Sequence, residues 1–108
     1  MSFRKVTAII HRNVLVDVEA VLQQAGSGGI TVTKVKGYGE YADFYERDWL
    51  TTHVRVEIFT TAARADPLAQ LIADTAHTGL AGDGIVAILP VERVIRIRTR
   101  ATVDEGEL

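Results

Sequence analysis

The chain has 108 residues, 47% of them hydrophobic and 24% charged, which suits one small globular domain and excludes a disordered polypeptide. With 12 Lys and Arg against 14 Asp and Glu, the net charge of −2 argues against a general nucleic-acid binder, whose affinity rests on excess cations. There are no cysteines, so disulfides, zinc-thiolate sites and cysteine nucleophiles are excluded. Neither a membrane-spanning apolar run nor a signal-peptide pattern is present, and a cytoplasmic protein is expected.

Residues 3–11 alternate as a strand, with Val6, Ala8 and Ile10 on one face and Phe3, Thr7 and Ile9 on the other. Residues 13–25 switch to helical period: Val14, Val18, Val21, Leu22 and Ala25 form one stripe, and Gly26 is placed for a left-handed C-cap. A β-branched run from Ile30 to Tyr38 predicts a second strand. Residues 40–52 have no clean period and read as a long loop; residues 53–60 alternate again. Asp66-Pro67 predicts a helix start, with Asp66 as N-cap. A glycine-rich connection at 78–84 leads to an apolar strand at 85–89 and a last strand at 94–98, with a mobile tail at 100–108. The order β-α-β-β-α-β predicts an α+β, ferredoxin-like sandwich with a short C-terminal strand addition. Two helices cover one sheet face, so the apolar residues of the other face predict a homo-oligomer.

Three segments could carry chemistry. The glycines of residues 78–84 could converge backbone N–H groups on an anion, or merely connect a helix to a strand; the segment lacks the P-loop lysine. Arg96, Arg98 and Arg100 would share one face of a period-two strand, as an anion site or as a solvated edge. Five of the seven aromatics fall in residues 38–49: Tyr38, Tyr41, Phe44, Tyr45 and Trp49. Such clustering on a loop suits a partner-binding surface, or a lid on its own domain. His11, His53 and His77 lie on separate elements without metal-ligand spacing, and no metal site is expected.

Taken together, VKGYG at 35–39, TGLAGDG at 78–84 and VIRIRT at 94–99, in that order, resemble the P-II signalling proteins, and the resemblance runs from about Lys5 to Thr99. It implies a non-enzymatic trimer with nucleotide sites between neighbouring subunits. Thr31, Gly37 and Gly39 would line one side of an adenine nucleotide, with Glu57 beside the base. Thr78, Gly82, Asp83 and Gly84 would form the phosphate-side loop, and Arg96 and Arg98 would reach in from a neighbour. Residues 39–52 would be the T-loop that engages a protein partner, with Tyr41, Phe44, Tyr45 and Trp49 as contact residues.

The departures from the family pattern shape the expected ligands. Where the family has a Lys after GDG, this chain has Ile85, which disfavours an outer phosphate. ADP and AMP are therefore the expected ligands, with ATP a third candidate, and no cofactor is required. The positions matching the family's 2-oxoglutarate Gln and Lys are Tyr41 and His53, and the loop is several residues short. These features are similar to the branch associated with carboxysomes and inorganic carbon. The leading expectation is a reporter of energy or carbon status that binds bicarbonate, with Lys36, Arg47 and Arg55 as nearby cations. The alternatives are a nitrogen regulator of an ammonium transporter, recruited to the membrane by it, a slow ATPase, and a structural trimer like the copper-tolerance proteins.

Overall fold

A computed structural model describes residues 2–35 and 53–108. The described elements are β1 (Phe3–His11), a 3-10 turn (Arg12–Val14), α1 (Leu15–Gln24), β2 (Thr31–Val35), β3 (His53–Thr61), α2 (Ala62–Ala76), β4 (Gly84–Val91), β5 (Ile95–Arg96), β6 (Ala101–Thr102) and a 3-10 turn (Glu105–Glu107). Four antiparallel strands pair in the order β2-β3-β1-β4, and β5 and β6 form a separate ribbon. This is the α+β, ferredoxin-like arrangement expected from the element order. No helix among the described residues is long and apolar enough to cross a membrane.

Alternation decides which side of the sheet the helices cover. Val6, Ala8 and Ile10 of β1 share a face with Val54, Val56 and Ile58 of β3, because those residues are register partners. All six are buried, together with Val18 and Leu22 of α1 and Ala65, Leu68, Ile72 and Ala76 of α2. Each fully buried Leu or Ile contributes about 1.5–3 kcal/mol. The opposite face has no helix. There Phe59 is 50% exposed, Ile85 47% and Leu89 38%, so an apolar surface remains open on one chain. Phe3 lies on that face, as its alternation predicts, but it is buried, as is Val103, and both lie outside the main cluster.

α1 ends as its sequence predicts. Gly26 has φ +82; its N–H donates to Gln23 O and the Ser27 N–H to Leu22 O, which together make a Schellman cap. α2 does not begin at Asp66-Pro67. Its N-cap is Thr61, and Pro67 lies inside the helix. The missing Pro67 N–H would have paired with the carbonyl of Ala63, an exposed residue. Burial of Ala65 and Leu68, on either side of the proline dipeptide, outweighs the local stop signal.

The C-terminal region also differs from expectation. The strand predicted at 94–98 shrinks to two residues, and residues 97–100 turn back into β6. Arg100 has φ +59, its N–H donates to Arg96 O at 2.8 Å, and the Ala101 N–H donates to the Thr99 hydroxyl. Arg96, Arg98 and Arg100 therefore do not share one strand face: a turn breaks the period of two. The expected mobile tail is folded. The Val103 N–H bonds Val94 O, Asp104 and Glu107 form a capping box, and Arg64 reaches the Leu108 carbonyl. The same guanidinium donates to Ala25 O at 2.8 Å, which fixes the end of α1.

Candidate functional site

Strand register gathers three chain segments at one end of the sheet. Val35, the last residue of β2, pairs with His53, the first of β3, and His53 pairs with His11 at the end of β1. Gly84, the first residue of β4, pairs with neighbouring Ile10. The glycine loop thus enters the sheet at the same end as the two residues that flank residues 36–52 in the chain, with β1 between Gly84 and His53 and Val35 on the far edge. Gly37, Gly39, Lys36, Tyr41, Phe44, Tyr45, Arg47 and Trp49, and with them the expected T-loop at 39–52, lie outside the described residues.

The loop at 78–84 is built around one carboxylate. Asp83 Oδ2 accepts from the backbone N–H groups of Thr78 at 2.8 Å and Gly79 at 2.9 Å, and Asp83 Oδ1 accepts from the Thr78 hydroxyl. That hydroxyl oxygen in turn accepts from the Leu80 N–H. The Thr78 hydroxyl and then the two backbone donors hold the Asp83 carboxyl below its ordinary pKa; His77, 3.8 Å away, adds least. Two of the loop's amides that could have turned to an external anion, those of Thr78 and Gly79, are thus closed on the loop's own Asp83.

Glycine is required where the loop meets the sheet. Gly84 has φ +108, and a Cβ there would lie 1.8 Å from the Ile9 carbonyl oxygen. Gly79 and Gly82 also have positive φ, so the chain reverses direction without side-chain penalty. A cleft of about 310 Å³ opens between the end of α2 and the start of β4, lined in part by Ala76, His77, Asp83, Gly84 and Ile85.

Thr31 and Glu57 are register partners on the helix-free face, in a row with Thr7 and Ala87. The Glu57 carboxylate is held by two cations. Arg55 Nε lies 2.8 Å away at an angle too poor for a hydrogen bond, and Lys5 Nζ lies 3.9 Å away. Thr78, Gly82, Asp83 and Gly84 belong to one hydrogen-bonded loop, whereas Arg96 and Arg98 sit on the separate ribbon and its turn. Ile85 stands on the helix-free face between Ile9 and the open edge of β4, half exposed.

Sequence reasoning missed the histidines. His53 is buried, and its Nε2 donates to the Gly82 carbonyl at 2.7 Å. The His11 ring meets it edge-on at 5.2 Å. The signal was available only as a position: both residues end a strand at the same end of the sheet, but their pairing depends on register.

The split βαβ sandwich defines the fold class, α+β and ferredoxin-like, and comparison with known proteins specifies the family. A family model described as "Nitrogen regulatory protein P-II" matches residues 3–101. The nitrogen regulatory protein GlnK2 of Haloferax mediterranei is 40% identical, over 94% of this chain and 88% of that protein. The nitrogen regulatory protein P-II of Pasteurella multocida is 39% identical, over 89% of this chain and 92% of its own length. The nitrogen regulatory protein GlnK of Escherichia coli is 34% identical, over 95% of this chain and 97% of that protein. The chain belongs to the P-II nitrogen regulatory family, whose members these comparisons name as regulators.

Proposed function

We propose that this chain is a nitrogen-regulatory signalling protein that binds an adenine nucleotide between the subunits of a homotrimer and reports its occupancy to a protein partner. The observation that carries this reading is the Asp83-centred loop, in a chain that matches nitrogen regulators along nearly its whole length. The relatives' names favour nitrogen over inorganic carbon as the signal. The open apolar face around Phe59, Ile85 and Leu89 supports assembly, because burying it removes exposed hydrocarbon from water.

In this reading Gly82, Asp83 and Gly84 shape the phosphate side, with Thr78 closing the loop. Thr31, Gly37 and Gly39 line the nucleotide, and Glu57 lies toward the base. Arg96 and Arg98 of a neighbouring subunit supply guanidinium donors to the inner phosphates. No cation follows Gly84, so a terminal phosphate gains nothing from Ile85 and ADP binds at least as tightly as ATP. Occupancy shifts the population of conformers that the partner, a transporter or a nitrogen enzyme, selects through residues 39–52.

The test is calorimetric titration of the wild type and Ile85→Lys with ADP and Mg-ATP, each with and without 2-oxoglutarate, and a separate titration with bicarbonate. The expected result is ADP at least as tight as ATP, a shift toward ATP in Ile85→Lys, and no response to 2-oxoglutarate. A protein that takes no adenine nucleotide would overturn the reading. A heat of bicarbonate binding would restore the inorganic-carbon alternative.

A further inference from the structure

The glycine loop has an anchor that its own sequence does not contain. A peptide flanked by glycine is conformationally permissive, so its orientation must be set from outside. Asp83 sets the first part of the loop through Thr78 and Gly79, and the contact with β1 sets the last part through Gly84. Between them lies Gly82, at φ +96, and its carbonyl is held by His53.

That contact has the character of a built interaction. The imidazole is 3% exposed although it stands on the helix-free face, where Arg55 two residues along is half exposed. The acceptor is a carbonyl, so Nε2 carries the proton. The neighbouring ring is fixed as well: His11 Nδ1 accepts from the Asn13 N–H at 3.2 Å, and the two rings meet at 66° across the β1–β3 pair. His53 is also the first residue of β3.

We propose that His53 is a positioning residue for the glycine loop, holding the Gly82 carbonyl so that a ligand that reshapes residues 78–84 is felt at the first residue of β3. The inference deepens the nucleotide reading and rests on it for the identity of that ligand. Its consequence is a link between the phosphate side of the site and the point where residues 36–52 rejoin the sheet. Among the described residues this link is carried by the His53–Gly82 hydrogen bond, which spans 29 positions of sequence.

The test compares the wild type with His53→Phe, which keeps a ring without the donor, and His53→Gln, which restores an N–H donor. In the wild type, nitrogen NMR should find the Nε2–H tautomer at His53, and ADP should slow amide exchange at Val54 and Arg55. His53→Phe should displace the Gly82 and Asp83 amide resonances, weaken ADP about tenfold and abolish the response at Val54 and Arg55. His53→Gln should recover most of each loss, which a merely space-filling role would not produce. An Nδ1–H tautomer, or wild-type loop resonances and ADP affinity in His53→Phe, would overturn the proposal. If His53→Phe does not fold, the wild-type tautomer and the His53→Gln loop resonances decide. If the wild type takes no ADP, the nucleotide reading falls, and the Gly82 and Asp83 resonances of the unliganded variants decide the link alone.

Discussion

Two glycine-bearing connections leave a helix and enter a strand in this fold, and they are held in different ways. After α1, residues 25–30 close with a backbone Schellman cap, and a Cβ on Gly28 or Gly29 would meet nothing within 4 Å. After α2, residues 77–84 are tied by Asp83 to Thr78 and Gly79, by His53 at Gly82, and by a backbone approach at Gly84 that admits no side chain. Glycine content alone therefore does not mark a site. Side-chain hydrogen bonds that fix the shape of a glycine loop cost conformational freedom, and a loop so constrained presents its groups in a set geometry.

The comparison breaks most visibly at Gly84. Gly84→Ala forces a Cβ against the Ile9 carbonyl at a positive φ, and should destabilise the fold by about 3 kcal/mol or more in chemical denaturation. A loss under about 1 kcal/mol would mean that the β1–β4 approach is looser than described. The next effect sharpens the assignment of a ligand to the second loop. Arg98→Ala should weaken ADP by about 1.5–3 kcal/mol, the scale of a charge-assisted hydrogen bond, and Arg100→Ala by less. Titration of both variants checks this, and equal affinity for Arg98→Ala and the wild type would remove its phosphate role.

Asp83 gives a smaller effect with a defined pH sense. Its carboxyl is held below the ordinary value by the Thr78 hydroxyl and by the Thr78 and Gly79 amides. Such a group contributes stability that is fully present above the ordinary aspartate range and is lost as pH falls through the depressed value. The Thr78 and Gly79 amides should stay protected from exchange at neutral pH and lose protection only in strong acid. Asp83→Asn, which keeps one acceptor but no charge, should speed their exchange about tenfold at neutral pH. Unchanged exchange would show that the carboxylate does not hold the loop. The smallest effect belongs to the first connection: Gly28→Ala and Gly29→Ala should change stability by no more than about 0.5 kcal/mol in the same denaturation experiment.

Much of this was legible in the residues, for a physical reason that also marks where legibility stops. Alternation in residues 3–11 and 53–60 follows from a sheet covered on one side, so β1 and β3 could be read directly. The helix stripe of Val18 and Leu22 and its Gly26 cap are local signals of the same kind. Pro67 misled because a local stop signal competes with burial of Ala65 and Leu68, which only the packed core reveals. The arginines misled because residues 97–100, closed by the left-handed backbone of Arg100, turn where the alternation of residues 94–98 would continue a strand. At the site, the glycine loop could be found from its spacing, and Asp83 lies within it. Its anchor could not be found, since His53 is 29 positions from Gly82 and meets it only after the sheet pairs.

The central claim is that the connection after α2, and not the one after α1, takes the nucleotide. Amide NMR of the wild type during titration with ADP tests it directly. The account predicts progressive shifts at Thr78, Gly79, Gly82 and Gly84 with Gly26, Ser27, Gly28 and Gly29 unmoved. Shifts confined to residues 26–29, or no shift in either connection at saturating ADP, would contradict it.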